Sequence, residues 1–114
     1  MARHPLDYAA FAKIAEKTDW EPEFSLSFLG NNSKYMIIVL KQGVTFQRYG
    51  QPEEQTGETW YESLDALYDA DTIDDICLRR DWERIESIVA DFRYELFEEE
   101  DLASFLKDHG ITIE

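Results

Sequence analysis

Residues 24–49 read FSLSFLGNNSKYMIIVLKQGVTFQRY and contain three apolar segments separated by two turn signals. The first segment alternates apolar and polar residues, as a strand with one buried face does. Residues 35–40 are apolar on both faces, which is typical of a central strand, and residues 44–49 alternate again. Because Gly, Asn and Ser at 30–33 and glycine at Gly43 favour tight turns, these segments predict a three-stranded antiparallel meander.

The flanking residues predict helices and one more strand. On the N-terminal side, apolar residues from Leu6 to Thr18 recur at three- and four-residue spacings, which indicates a helix. On the C-terminal side, Thr59-Trp60-Tyr61 has the composition of a short fourth strand, and Ser63 is a suitable N-cap for a brief helix. Residues 98–108 predict a last helix, with acids in its first turn and Gly110 just beyond its end.

The segment between these two helices allows two interpretations. Its apolar residues follow spacings of four, three, four, three and four, which predicts one long helix with a heptad-like stripe. The stripe consists of Leu78, Trp82, Ile85, Val89, Phe92 and Leu96. Residues 92–96 also alternate with period two, so the sequence alone leaves open whether residues 92–97 continue the helix or form a strand.

These elements predict a single α+β domain spanning residues 1–114. It has an N-terminal helix, a three- to four-stranded antiparallel meander and C-terminal helices packed on one face of the sheet. A chain of 114 residues with 44% hydrophobic residues has the length and apolar content of one ordinary domain. The longest apolar run, Tyr35 to Leu40, is far shorter than the roughly 20 residues that span a bilayer. A single cysteine and an N-terminus without an apolar signal segment favour a cytoplasmic protein.

Acidic residues dominate the charge of the chain. The 11 Lys+Arg and 25 Asp+Glu residues give a formal net charge of −14. Residues 1–57 contribute 6 − 7 = −1, and residues 58–114 contribute 5 − 18 = −13, so the imbalance lies in the C-terminal half. This field repels DNA, RNA and anionic membranes, which argues against direct binding to any of them. A basic protein is the partner that such a charge attracts.

Residues suited to catalysis are few. His4, His109 and Cys77 are the main candidates, and no flanking motif supports any of them as a nucleophile or a base. The glycines form neither the dinucleotide-binding pattern nor the P-loop pattern. The aspartates from Asp69 onward do not fit a calcium-binding EF-hand loop, because Arg80 stands where a bidentate glutamate is required. The sequence therefore predicts a non-enzymatic protein without a metal or a cofactor.

Rows of carboxylates on a helix can imitate the phosphates of a nucleic acid. Asp65 and Asp69 have the i, i+4 spacing that places two carboxylates about 5 to 6 Å apart. We therefore expect an inhibitor of the anti-CRISPR or anti-restriction type, a nucleic-acid mimic that occupies the cationic groove of a nuclease or another nucleic-acid-binding protein. The acids expected to bind this partner are Asp65, Asp69, Asp71, Asp74, Asp75, Glu98, Glu99, Glu100 and Asp101.

Two other functional interpretations stay open. An immunity protein or antitoxin would neutralise one toxin through a few aromatic hot spots, for which Trp60, Tyr61 and Tyr68 are candidates, although a core role also suits them. A small acidic cytoplasmic domain would use its charge only for solvation, and part of that charge is expected to pair with the interspersed arginines. The apolar stripe is consistent with a monomer or a homodimer, and a core-facing role is favoured for it.

Overall fold

The computed structural model describes residues 6–17, 22–30 and 33–111 of the chain. It has an α+β fold in which, within these residues, six strands form one antiparallel sheet. The helices are α1 (Tyr8–Lys17), α2 (Leu64–Asp69), α3 (Leu78–Asp81) and α4 (Glu99–Asp108). The strands are β1 (Glu23–Phe28), β2 (Lys34–Leu40), β3 (Gly43–Tyr49), β4 (Thr59–Tyr61), β5 (Ile85–Ala90) and β6 (Tyr94–Glu95). Their order across the sheet is β4-β3-β2-β1-β5-β6.

The predicted meander is confirmed, and β2 lies inside the sheet as its doubly apolar sequence indicates. Ile37 on β2 pairs with Phe24 on β1 and with Phe46 on β3, and none of the three side chains is exposed. The short strand β4 pairs with β3, as predicted for a fourth strand. The predicted helix end at Thr18 and the turn residues at 31–32 lie outside the described residues.

The long helix predicted from Leu78 is wrong. Helix α3 ends at Asp81, a single 3-10 turn follows, and the chain then enters β5, which pairs antiparallel with β1. Ile88 pairs with Leu26 in the middle of this ladder. Two physical effects favour the strand: β-branched residues fit a pleated surface, and without β5 the backbone groups along one edge of β1 would lack partners.

The segment after β5 forms a turn and a short strand. Tyr94 and Glu95 make up β6, so the strand interpretation is correct for these two residues. Asp91 and Phe92 form the turn with φ values of 52° and 62°, and the Arg93 N–H donates a hydrogen bond of 3.0 Å back into β5. Within the helical stripe inferred from the sequence, Phe92 is therefore a turn residue rather than a core residue.

The helices pack on one face of the sheet, as predicted. The ring of Phe11 on α1 lies 4.8 Å from that of Phe24 on β1, and Phe105 on α4 lies 5.2 Å from Tyr94 on β6. Phe24 and Tyr94 point to the same side, because each shares its side with Ala90 through direct strand pairing. In the described residues no helix is long and apolar enough to cross a membrane.

The opposite face of the sheet lies outside this helix-covered core. Strand pairing places on it the residues that alternate with the core positions. We call it the uncovered face, and its side chains include Met36, Ile38, Thr45, Tyr49, Trp60 and Val89. None of these six belongs to the core cluster that the helices and the other face share.

Candidate functional site

The two acids of α2 that have phosphate-like spacing are both engaged within the chain. The Tyr8 hydroxyl on α1 donates a hydrogen bond of 2.5 Å to the Asp65 carboxylate, and Asp69 forms an ion pair with Arg79. Burial, and then the neighbouring Asp65 carboxylate, raise the pKa of the Tyr8 phenol above its ordinary value. The spacing is present, but each carboxylate already has an internal partner.

The acids between α2 and α3 differ in their surroundings. Asp74 accepts hydrogen bonds from the Arg48 guanidinium at 2.7 and 3.0 Å and from the Tyr35 hydroxyl at 2.7 Å. These hydrogen bonds hold the pKa of the Asp74 carboxyl below its ordinary value, and those from Arg48 have the largest effect. Asp71 and Asp75 are exposed, and the Asp75 carbonyl accepts a hydrogen bond of 2.5 Å from an arginine of α3.

Removal of the Asp74 charge is expected to change stability in a pH-dependent way. Because the folded pKa lies below the ordinary 3.8, the ionised carboxylate stabilises the fold above that pH, and this contribution disappears as pH falls through the folded pKa. Asp74→Asn is therefore expected to lower the free energy of unfolding at about pH 6 and to have a smaller effect at about pH 3. Urea denaturation at both pH values measures this difference. Asp71→Asn serves as the control, and an equally pH-dependent effect there would contradict the assignment to Asp74.

Asp81 is a charged residue that the sequence did not single out. It is the one buried carboxylate among the described residues, with 4% of its surface exposed. It accepts hydrogen bonds from the Arg80 guanidinium at 2.9 and 3.1 Å and from the Cys77 N–H at 3.0 Å, and Arg84 lies 3.6 Å away. These contacts lower the pKa of the Asp81 carboxyl, and the hydrogen bonds from Arg80 have the largest effect. Arg80 is adjacent to Asp81 in the sequence and Arg84 lies three residues after it, and this spacing is the signal that would have indicated an internal ion pair.

Two cavities adjoin these charged residues. A polar cavity of about 440 Å³ lies beside Arg80, Asp81 and Arg84, but both guanidinium groups there already face Asp81. A second cavity, of about 360 Å³, lies between α1 and the β2–β3 turn and is lined by alanines of α1 and by Glu16 and Glu62. The first is a charge-paired cleft. The second is lined by apolar side chains together with carboxylates and Lys41.

The acids at 98–101 lie at the other end of the molecule. They flank the N-terminus of α4, where negative charge is favourable to the helix dipole, and α4 packs beside β6. The Asp101 carboxylate accepts a hydrogen bond of 3.2 Å from the Glu95 N–H, whereas Glu98, Glu99 and Glu100 are exposed. Helix α2 packs beside β3 and β4, so about five strand spacings of 4.8 Å, or about 24 Å, separate the two groups of acids. The predicted acids of α2 and of α4 therefore lie toward opposite edges of the sheet.

The three candidate aromatic residues have different environments. Tyr68 stacks on Tyr8 with ring centroids 3.6 Å apart and lies beneath the Arg79 guanidinium, so it has a packing role. Tyr61 is half-buried, and burial raises the pKa of its phenol. Trp60 is 50% exposed on the uncovered face. Of the three, Trp60 is therefore the residue that presents an aromatic surface to solvent.

Two exposed aromatic residues were not predicted as site residues. Tyr49 and Phe92 are 38% and 56% exposed, and their ring centroids lie 5.9 Å apart. Tyr49 ends β3 and Phe92 lies in the β5–β6 turn, so the contact depends on the sheet that places these segments near each other. No pattern within either segment indicates it.

Two of the three catalytic candidates lie within the described residues. Cys77 is half-buried, and the His109 ring packs 4.9 Å from Phe105 and lies 3.9 Å from the Asp91 carboxylate. His4 lies outside the described residues. In the part of the chain that the structure describes, no three His, Cys, Asp or Glu side chains are grouped so that they could hold a metal ion.

Comparison with known proteins identifies no relative of this chain. No protein-family model, no curated protein and no solved structure matches it. The function is therefore inferred from the charge, burial and contacts of the chain itself.

Proposed function

We propose that this protein is a non-enzymatic binding protein that inhibits a basic partner by occupying the partner's nucleic-acid-binding surface. The observation that supports this proposal is that the arginines in the described residues are engaged within the chain. Arg48 and Arg79 pair with Asp74 and Asp69, Arg80 and Arg84 face Asp81, and Arg93 lies 5.0 Å from the centre of the Tyr94 ring. Because Asp69, Asp74 and Asp81 take up four of these cations, the outward negative charge comes from the remaining exposed acids, most of which are glutamates.

Exposed glutamates occur on several sides of the fold. They are Glu16, Glu53, Glu54, Glu58, Glu62, Glu83, Glu86, Glu98, Glu99 and Glu100. A distributed field of this kind accelerates encounter with a cationic protein and repels nucleic acid. Acids at both ends of a sheet about 24 Å wide suit a partner whose cationic surface is broad, as a nucleic-acid-binding groove is.

An immunity protein or antitoxin is the second candidate function, and the exposed Trp60 is the observation that favours it. A tryptophan with half of its surface in contact with water is a suitable anchor for one specific partner. The two candidates differ in their dependence on salt, because diffuse carboxylates are screened by ions and a desolvated aromatic anchor is not.

The test is affinity capture of basic proteins from bacterial lysate at low and at moderate salt, with and without excess duplex DNA, followed by mass spectrometry. For a nucleic-acid mimic we expect nucleic-acid-binding proteins that are lost in salt and displaced by DNA. The variant Glu98→Gln/Glu99→Gln/Glu100→Gln is expected to weaken this capture. It leaves Asp101 in place, because that carboxylate binds the backbone of β6.

The matched control is Glu53→Gln/Glu54→Gln/Glu58→Gln, which removes the same number of charges near β4. Equal loss in both variants indicates a diffuse field, and a larger loss in the α4 variant assigns the contact to residues 98–100. A single partner that resists salt and ignores DNA would support the immunity protein instead. Capture of no basic protein under any condition would argue against both functions.

A further inference from the structure

Exposed aromatic side chains are concentrated on the uncovered face. Among the described residues, the large apolar side chains that are exposed are Leu29, Tyr49, Trp60 and Phe92. Tyr49 and Trp60 lie on the uncovered face by strand pairing, and Phe92 joins them through its contact with the Tyr49 ring. Exposed Trp, Tyr and Phe side chains on a sheet face that none of the described helices covers are typical of a protein-binding surface.

The rings of Tyr49 and Phe92 meet over the uncovered face. Strands β2 and β1 lie between β3 and β5, so the two rings meet across two intervening strands. Met36, on the intervening β2, is 5% exposed although no helix lies over it in the described residues. Nearby on β3, the Thr45 hydroxyl is buried and has no hydrogen-bond partner among the described residues. Such a group is uncommon in a stable interior.

Phe92 adopts a backbone conformation that is unfavourable for its residue type. With φ of 62° it is in the left-handed region, where glycine or asparagine fits and a bulky side chain is an outlier. Its side chain is 56% exposed, so burial does not offset this strain. Backbone strain that burial does not offset tends to occur at functional sites.

We infer that the uncovered face docks the basic partner and that the rings of Tyr49, Trp60 and Phe92 receive arginine side chains of that partner. This inference rests on the proposed function, which supplies a basic protein. A guanidinium group stacks on aromatic rings and pairs with carboxylates. Glu23 lies on the uncovered face beside the Phe92 turn, because it pairs with Ile38 and its carbonyl accepts a hydrogen bond from the Asp91 N–H. A second copy of this chain is a poor occupant, because it would bring another net charge of −14 to the same surface.

The test titrates the isotope-labelled full-length chain with nona-arginine and with nona-lysine peptides of equal charge at low salt, followed by NMR. Nona-arginine is expected to bind about three- to tenfold more tightly, because only the guanidinium stacks well on the rings. The largest shifts are expected at Tyr49, at the Trp60 indole N–H and at Phe92.

Phe92→Gly separates binding from folding. Glycine relieves the left-handed strain, so the thermal midpoint is expected to stay the same or to rise, while the affinity for nona-arginine falls at least about fivefold. Trp60→Ser is expected to weaken binding in the same way. Leu29→Ser is the matched control, because it removes an exposed apolar side chain in another turn and leaves the charge unchanged. It should bind both peptides as the wild type does.

Three results would overturn the inference. Equal affinity for the two peptides, with shifts at residues 98–100, would reject the docking surface and leave the proposed function standing. Failure of both peptides to bind would count against the docking surface and the proposed function together. A dimer in solution that Phe92→Gly dissociates would show that the occupant is a second copy of the chain.

Discussion

Ile88→Ala is expected to lower the free energy of unfolding by about 3 to 4 kcal/mol. Ile88 lies in the middle of β5, pairs with Leu26 and has no exposed surface. Truncation removes buried methyl groups and leaves a cavity between the sheet and its helices, which the surrounding residues fill only in part. Urea denaturation at neutral pH, with the slope of the transition checked for constancy, measures the loss.

Val89→Ala is the control. The helical stripe inferred from the sequence predicts the larger loss of stability at Val89, whereas the strand of the structure predicts it at Ile88. In a helix with that stripe Val89 is a core position and Ile88 is not. In the structure Val89 is half-buried on the uncovered face, so its truncation should cost about 1 kcal/mol or less. A larger loss for Val89→Ala than for Ile88→Ala would disprove the strand assignment.

Asp81→Ala is expected to lower the free energy of unfolding by about 2 to 3 kcal/mol. The substitution leaves the Cys77 N–H at the start of α3 without its acceptor and removes the counter-charge of two arginines. Those side chains are 54% and 55% exposed, so water solvates them afterwards, and the cost stays below that of breaking a fully buried ion pair. Because the folded pKa of Asp81 is lowered, its contribution is present above the ordinary 3.8 and is lost as pH falls through the folded value.

Asp81→Asn separates the loss of the hydrogen-bond acceptor from the loss of the negative charge. The amide oxygen can still accept a hydrogen bond from Cys77, but it carries no charge for Arg80 and Arg84, so an intermediate loss is expected. Asp71→Ala is a comparison at an exposed carboxylate, where a change of about 0.5 kcal/mol or less is expected. If Asp71→Ala and Asp81→Ala were equally destabilising, the buried network would have no special role.

The ion pairs change the interpretation of the acidic C-terminal half. Asp69, Asp74 and Asp81 are close to arginines and act mainly within the fold, whereas the glutamates at 98–100 remain exposed. Composition counts all of these acids equally. Which of them can reach a partner depends on where the arginines lie in space, and this separates Asp69, Asp74 and Asp81 from the exposed acids.

Several elements could be predicted because their signals are local. The alternation in residues 24–28, the doubly apolar run at 35–40 and the turn at Gly43 lie within a few residues of each other, and so do Ser63 and the helix that it caps. In each case the side chains that determine the structure are in contact along the chain itself. The net charge is likewise a property of the sequence, and it holds for any fold.

The tertiary structure decided the rest, because the partners are distant in sequence. Residues 85–90 form a strand because β1 offers an unpaired edge about 60 residues earlier, and their helical spacing is overridden. Tyr49 meets Phe92 across two intervening strands of the sheet, and Asp74 pairs with Arg48 across 26 residues of the chain. Periodicity reports which side chains can share a face of one element. Periodicity carries no information on which elements will lie side by side. The uncovered face and the internal ion pairs both depend on that arrangement.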